Sequence, residues 1–575
     1  MTSAFARHAV RRFTNASVLV AFTAGGLLAQ GGASSSLSCD GKTVHEIRVS
    51  SQRPSFKGEV AYWRRLARTL GLHHATTDTV IIRRFLVLKS GGKCSDFRVK
   101  ESARLLRQQP FLTDISVKAV PDDSGGVTIN VETVDEIPAT AAASVGGGRV
   151  SFLEVGNENL FGKAWLGAVH VADQEIAGRS AGFRASDYQF LAKPYQLDVT
   201  ADWGQNASSW LVDAFHSYLT DLQRIAWQVG IARASPQLIA LSRGEGVDPL
   251  ALEFNTFGAD IGGVVKLGDF KTPILLGGMM TITHRQATGA LAITRRGLES
   301  DTTLLGRYPK VSRARFAGIG AWRYLNFITV QGFNSLAGTE DVPTGAQLLG
   351  QLGRGTHSLS GASDVFLLGD VLGGIGSGKS FAEIHLITEG RHQIGQSDWD
   401  GIVTSSMLAV YLKPSDLDLA RWWGEFEGGW RVQAPFQLGL DTEGQRLIGY
   451  RAALFGGRRA ATGFLMRHIV PGATKYGDVA FGVFLNAARL WAGDAPFGMN
   501  TPVLPSAGVS LFGAMPHGSQ RTLRIDFGRA LRSDVVRSGW EVRLVYSDFT
   551  RRILSEPADI FGAREPLVGP NVLRP

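Results

Sequence analysis

Residues 195–203 read Tyr195-Gln196-Leu197-Asp198-Val199-Thr200-Ala201-Asp202-Trp203, with an apolar residue at every odd position and a polar one at every even position. Successive side chains of a β-strand point to opposite faces, so this segment carries one apolar and one polar face. The pattern recurs far downstream. Leu523, Ile525 and Phe527 alternate with Arg524 and Asp526. Trp540, Val542, Leu544 and Tyr546 alternate with Glu541, Arg543 and Ser547, with Val545 breaking the polar face.

Such alternation suits a soluble sandwich and a transmembrane barrel alike, and three features favour the barrel. The segments run about nine to eleven residues, the length a tilted strand needs to cross a bilayer. Trp165, Trp203, Trp227, Trp491, Trp540 and Tyr546 fall near segment ends, where interfacial aromatic girdles lie. The polar faces carry full charges, which suits a wet lumen, and in lipid a closed barrel leaves no sheet edge unpaired. The spacing therefore predicts a mainly β chain built around an antiparallel transmembrane barrel, assigned to residues 139–553.

The remainder of the chain agrees with export. Arg7, Arg11 and Arg12 precede a short apolar stretch from Ala16 to Ala29, so residues 1–33 read as a secretory signal peptide. Beyond it no run reaches the roughly 20 apolar residues of a spanning helix. Residues 43–136 follow a different grammar. Val44, Ile47 and Val49 mark a first strand, and Glu59–Leu70 reads as a basic helix. Thr77 is placed to cap a helix bearing Ile81, Ile82, Phe85 and Leu86, and Ser95 to cap another bearing Val99, Ala103 and Leu106, stopped by Pro110. Ile115, Val117 and Ala119 then lead through the turn at 122–126 to Val127, Ile129 and Val131. The expected product is one small α+β domain. Residues 554–575 form a tail with Pro557, Pro566, Pro570 and Pro575, read as an unstructured periplasmic extension or, alternatively, as a plug in the lumen.

Composition narrows the function. Of 575 residues 44% are hydrophobic and 70 are glycine, with a net charge of +9. The arginines are scattered through nearly every segment and no nucleic-acid motif accompanies them, so nucleic acid is not an expected partner. Cys39 and Cys94 are too few for a disulfide scaffold and lack metal-ligand spacing; in an exported chain both a disulfide and two free thiols stay open. Residues 373–380, GGIGSGKS, satisfy the phosphate-loop pattern, but that chemistry needs a helix after the lysine. Phe381-Ala382-Glu383-Ile384-His385-Leu386 reads as a strand, so a glycine-rich hairpin turn is expected. His73-His74 has no Cys or Glu partner at metal spacing, and Asp398 and Asp400 read as solvated turn carboxylates. No catalytic residue, metal or cofactor is expected, and the chain is read as a non-enzyme.

Three stretches resemble a known family. Residues 76–120, TTDTVIIRRFLVLKSGGKCSDFRVKESARLLRQQPFLTDISVKAV, resemble a POTRA (polypeptide-transport-associated) domain. Residues 145–163, VGGGRVSFLEVGNENLFGK, resemble the first barrel hairpin of the BamA/TamA family (bacterial surface antigen family), with Asn159-Leu160-Phe161-Gly162 at its turn. Asp441 to Asp548, including Arg524-Ile525-Asp526-Phe527, is similar to that family's C-terminal barrel half. The resemblance implies an outer-membrane barrel of about sixteen strands with the POTRA domain in the periplasm. It also implies insertion or translocation of proteins at the bacterial outer membrane. Its partners would be the outer-membrane bilayer and an unfolded client captured on the POTRA domain by strand addition; accessory proteins are not specified.

This chain departs from the family where a lumen loop meets the wall. An Arg-Gly-aromatic motif at the loop tip is here Ile448-Gly449-Tyr450, and its wall partner, F-x-D-x-G, is here Phe484-Leu485-Asn486-Ala487-Ala488. Losing both charges together is coherent, because an unpaired buried charge costs more than no pair. The loop is expected to enter the lumen still, with Arg446 or Arg451 as substitute anchors. The alternative function is a passive channel or structural barrel that has lost translocase activity.

Overall fold

A computed structural model describes residues 38–54, 75–146, 149–174, 178–244, 247–268, 273–294, 297–356, 363–442, 445–450, 454–532, 539–549 and 558–564. The signal stretch 1–33, the helix expected at Glu59–Leu70, His73-His74, Arg451 and most of the tail lie outside these residues.

The N-terminal unit runs β1 (Val44–Gln52), α1 (Thr79–Phe85), α2 (Asp96–Arg107), β2 (Leu112–Pro121) and β3 (Val127–Asp135). Its sheet order is β1-β3-β2, with β1 parallel and β2 antiparallel to β3. This register sets Val49, Val131 and Val117 in one cross-strand row and Ile47, Ile129 and Ala119 in the next. Ile81, Ile82, Phe85 and Leu106 pack in the same core, so the helices cover the apolar face that the two-residue period creates. Ser95 caps α2 by accepting from the Arg98 N–H. The cap of α1 is not Thr77 but Asp78, whose carboxylate accepts from the Val80 N–H. The Thr77 hydroxyl donates instead to Asp135 at 2.8 Å, a buried carboxylate that competes successfully for it. Cys39 and Cys94 are joined in a disulfide, tying the start of the unit to the residue before the α2 cap.

The wall follows as twenty antiparallel strands. They are β4 (Ala139–Gly146), β5 (Arg149–Asn157), β6 (Trp165–Gln174), β7 (Gly178–Phe190), β8 (Tyr195–Gly204), β9 (Ser208–His216), β10 (Ile225–Leu241), β11 (Leu250–Leu267) and β12 (Ile274–Thr294). The short β13 (Gly297–Ser300) extends the end of β12. The wall continues with β14 (Val311–Gln331), β15 (Thr339–Gly355), β16 (Asp364–Gly376), β17 (Ser380–Gln393), β18 (Trp399–Leu412) and β19 (Asp418–Trp430). A two-stranded ladder, β20 (Asp441–Thr442) with β21 (Gln445–Arg446), interrupts it. Then come β22 (Arg458–Ile469), β23 (Asp478–Trp491), β24 (Leu504–Ala514), β25 (Arg521–Ala530) and β26 (Trp540–Asp548), and the order returns from β26 to β4.

The expected count of about sixteen strands is thus corrected to twenty. Hairpins as tight as Gly204–Ser208 and Gly376–Ser380 spend little chain on connections, so the same length builds more strands. The longest, β12 and β14, have 21 residues each, about twice what a bilayer crossing needs.

The faces decide between sandwich and barrel. Leu523, Ile525 and Phe527 are 41–45% exposed on the outer surface, whereas Asp526 between them is 1% exposed. Inside, Arg323, Arg459, Glu389 and Glu427 are almost fully buried. A soluble sandwich would bury the apolar rows. Here the charges are inside and the apolar rows outside, the inversion that a membrane-spanning barrel requires.

Candidate functional site

Two structures close the lumen. At the end nearest the N-terminal unit, that unit lies across the mouth. Arg521, at the start of β25, is the hub of one side: its guanidinium donates to the carbonyls of Pro110 at 2.9 Å and Ile137 at 2.5 Å. It also pairs with Glu158 and, at 3.1 Å, with Asp548. Beside it the Ser519 hydroxyl donates to Glu136 at 2.6 Å. Burial pushes the Glu136 carboxyl above its ordinary range, against the pull of Arg521 and Ser519.

Other anchors lie on distant sectors of the wall. Arg107 forks onto Asp341 at 2.6 and 2.9 Å, the planar bidentate geometry that gives a carboxylate pair its directionality. Arg104 stacks over Phe327 at 4.0 Å and donates to the Leu219 carbonyl. At the β5–β6 turn Asn159 donates to Thr77 at 2.8 Å, and the Asp78 N–H to the Gly162 carbonyl at 3.0 Å. Gly162 has φ +69° and a β-carbon there would overlap the Thr76 carbonyl, which accounts for glycine at the last position of the Asn159–Gly162 turn.

At the opposite, distal end the connection from β19 to β22 folds into the barrel. Leu438, Leu440, Leu447, Ile448, Tyr450 and Leu454 are all buried. Tyr450 donates its hydroxyl to the Pro505 carbonyl at 2.8 Å. Gly449 adopts φ +84°; its N–H donates to Glu541 at 2.9 Å and its carbonyl accepts from the Gly539 N–H at 3.1 Å. Ile448 and the Phe484 ring both close on the space that Gly528 leaves for want of a side chain, each with an atom 2.9 Å from where its β-carbon would stand. Phe484 and the loop tip are therefore brought together. Asn486 faces Gly463 and Ser506 in register, and among the described residues no hydrogen bond joins it to the loop.

The side chains of the two anchors proposed from sequence lie outside what the structure describes. Arg446 pairs through its backbone with Asp441 in the small ladder, and Arg451 is outside the described residues. Among the described contacts that hold the loop are Glu541, the Pro505 carbonyl and Arg459 of the wall, and Gln437, which exchanges hydrogen bonds with the Ser242 backbone. Arg459 binds Glu427 at 3.1 Å and donates to the Gly439 carbonyl at 3.1 Å. Sequence reasoning missed these because backbone carbonyls leave no motif. Glu541 was visible as an inward position of an alternating strand, without any sign that it meets residue 449.

Of the tail, residues 558–564 are described, and these pack against the inner face of the wall. Helix α3 (Ala558–Ala563) places Ile560 and Ala563 against Val403, Phe436 and Leu438. Arg564 pairs with Glu389 at 3.1 Å. The phosphate-loop string is a hairpin turn, with the Ser377 N–H donating to the Ser380 carbonyl at 2.6 Å and β17 following at once. Asp398 pairs with Arg431 at 2.8 Å on the surface. Among the described residues no cluster of three or more His, Cys, Asp or Glu side chains could hold a metal.

No family model and no curated relative matches the sequence. Among solved structures the chain is similar to BamA from Haemophilus ducreyi lacking POTRA domains 1–3, at 12% identity and TM-score 0.39, over 88% of this chain and 84% of that one. It is also similar to CdiB from Acinetobacter baumannii (9% identity, TM-score 0.40, 88% and 74% covered) and CdiB from Escherichia coli (9%, 0.44, 87% and 75%). What this chain has in common with BamA and CdiB, at these values, is general shape.

Proposed function

We propose that this chain is an outer-membrane barrel that inserts proteins into, or moves them across, the bacterial outer membrane. In this reading the N-terminal unit is a POTRA-like domain facing the periplasm. The supporting observation is a three-stranded sheet whose outer strands, β1 and β2, each pair with β3 alone among the described strands. The sheet is held at the mouth of the lumen by Arg521, Arg107 and Arg104. An open strand edge offers unpaired N–H and C=O groups, to which an extended client adds as a further strand with little sequence requirement. Cells lacking the protein should lose one or more surface or secreted proteins. A photo-crosslinker on the exposed positions of β2 should trap the same proteins. An unchanged outer-membrane proteome contradicts the reading.

A passive channel is the second reading, favoured by the absence of charge at Ile448 and Asn486. The filled lumen weighs against a permanently open pore, and a steady single-channel conductance from the complete chain would restore that reading.

A further inference from the structure

On the outer surface, along the distal rim from β19 to β26, three arginines lie on tryptophans. Arg458 opens β22, Arg489 stands two residues from the end of β23, and Arg529 is the penultimate residue of β25. Their guanidinium carbons sit 5.7, 5.0 and 5.8 Å from the ring centres of Trp430, Trp491 and Trp540. Trp430 and Trp491 end β19 and β23, and Trp540 begins β26. Arg489 and Arg529 are exposed and Arg458 is half-buried. Gly428, opposite Arg458 in register, makes room for the first pair: a β-carbon there would stand 2.9 Å from the Trp430 ring and 3.0 Å from the Arg458 stem.

Charge sets this rim apart. Inside the wall, arginines such as Arg459 and Arg521 bind carboxylates. Among the described residues no hydrogen bond or ion pair joins Arg458, Arg489 or Arg529 to a protein acceptor, and the Arg458 Nε is buried without a partner. Glu541 turns inward to Gly449, and Asp494 accepts from the Arg431 N–H at 2.7 Å. A guanidinium laid on an indole commits its face to the ring and keeps its N–H edge for an oxyanion, a fork that suits phosphate. Toward the membrane centre lies the exposed in-register row Val483, Val509, Phe527 and Val542. An apolar face under a cationic rim matches an amphiphile with acyl chains and an acidic headgroup.

We propose that this rim binds an acyl lipid of the distal leaflet whose headgroup carries phosphate. Arg458 faces Trp491 in register, so Arg489 is its diagonal neighbour, about 7–8 Å away, and the two share one phosphate. Arg529, two strands further on, takes a second, and the apolar row takes the chains. The inference rests on the barrel spanning a membrane and stands whether or not it transports protein.

The test is native mass spectrometry of the whole chain in detergent, titrated with an acylated disaccharide lipid (lipid A) carrying two, one or no phosphates. Binding should fall with each phosphate removed. The triple variant Arg458→Gln, Arg489→Gln, Arg529→Gln, checked for folding by its unboiled gel shift, should bind the bisphosphorylated lipid about tenfold more weakly or worse. The double variant Arg179→Gln, Arg354→Gln removes two exposed arginines from the distal ends of β7 and β15 and should bind like the parent chain. Binding by the triple variant within about twofold of the parent, or an equal loss in the double variant, overturns the proposal. Displacement of the lipid by inorganic phosphate at equal concentration overturns the lipid as occupant. Should the triple variant fail to fold, the parent chain decides: equal binding of the lipid with and without phosphates overturns it too.

Discussion

Replacing Gly449 by alanine should expel the loop from the lumen. At φ +84° an L-residue pays about 1–2 kcal/mol. A new β-carbon would also overlap the Ala530 backbone nitrogen and stand 2.9 Å from the Gly539 carbonyl oxygen, and Ala530, paired with Ser506, cannot yield without disturbing the end of the β24–β25 ladder. The loop must move instead, giving up the charge-assisted bond from Gly449 to Glu541 and the Tyr450–Pro505 bond. Those losses are worth about 1.5–3 and about 1 kcal/mol, so with the backbone strain the total is at most roughly 3.5–6 kcal/mol. Gly472→Ala is the control: its φ is +68°, but nothing lies within 4 Å of the new carbon, leaving backbone strain alone. The assay is the temperature at which the folded band on unboiled gels is lost, with protease cleavage between 431 and 457 as a second readout. Gly449→Ala should unfold at lower temperature and be cut; Gly472→Ala should be close to the parent chain. Indistinguishable variants refute the assignment of the loop to the lumen.

Replacing Cys39 and Cys94 by serine frees a loop of separation 55, a loss of about 4 kcal/mol in the chain-entropy model; protease resistance of the N-terminal unit should fall, and reductant should have the same effect on the parent chain. Arg521→Met leaves Glu158 and Asp548 without their shared cation, at a cost of about 3–5 kcal/mol, and limited proteolysis should release the N-terminal unit while the barrel band persists. Asp78 titrates below its ordinary 3.8 because Lys163, and then the Val80 N–H, bond to its charged form. A lowered carboxylate contributes stability above 3.8 that disappears as pH falls through the folded value. Crosslinking between the β5–β6 turn and α1 should therefore weaken below that pH in the parent chain and show a smaller acid effect in Lys163→Met.

Much of this architecture can be read from period two alone. β8, β25 and β26 announce themselves because one face must meet lipid and the other water. Strands such as β12 and β16 do not, since Gly277, Gly278, Gly373 and Gly374 interrupt the alternation, and their pairing comes from neighbours on both sides. The number of strands was not legible for the same reason. The lumen loop was legible from Gly449 and Tyr450, but its anchors were not: Glu541 lies 92 residues away and acts on a backbone N–H. The tail was masked by Pro557 and Pro566, which suggest extended chain, while Ile560, Ala563 and Arg564 find partners only once β17 and β18 are assembled.

The central claim is that the wall faces lipid outside and a polar, filled lumen inside. Spin labels placed singly from Thr522 to Arg529 in the reconstituted protein test it most directly. Labels at 523, 525 and 527 should be relaxed by oxygen dissolved in the bilayer, and labels at 524, 526 and 528 should be shielded from it. A profile without that two-residue period, or with its phase reversed, would contradict the account.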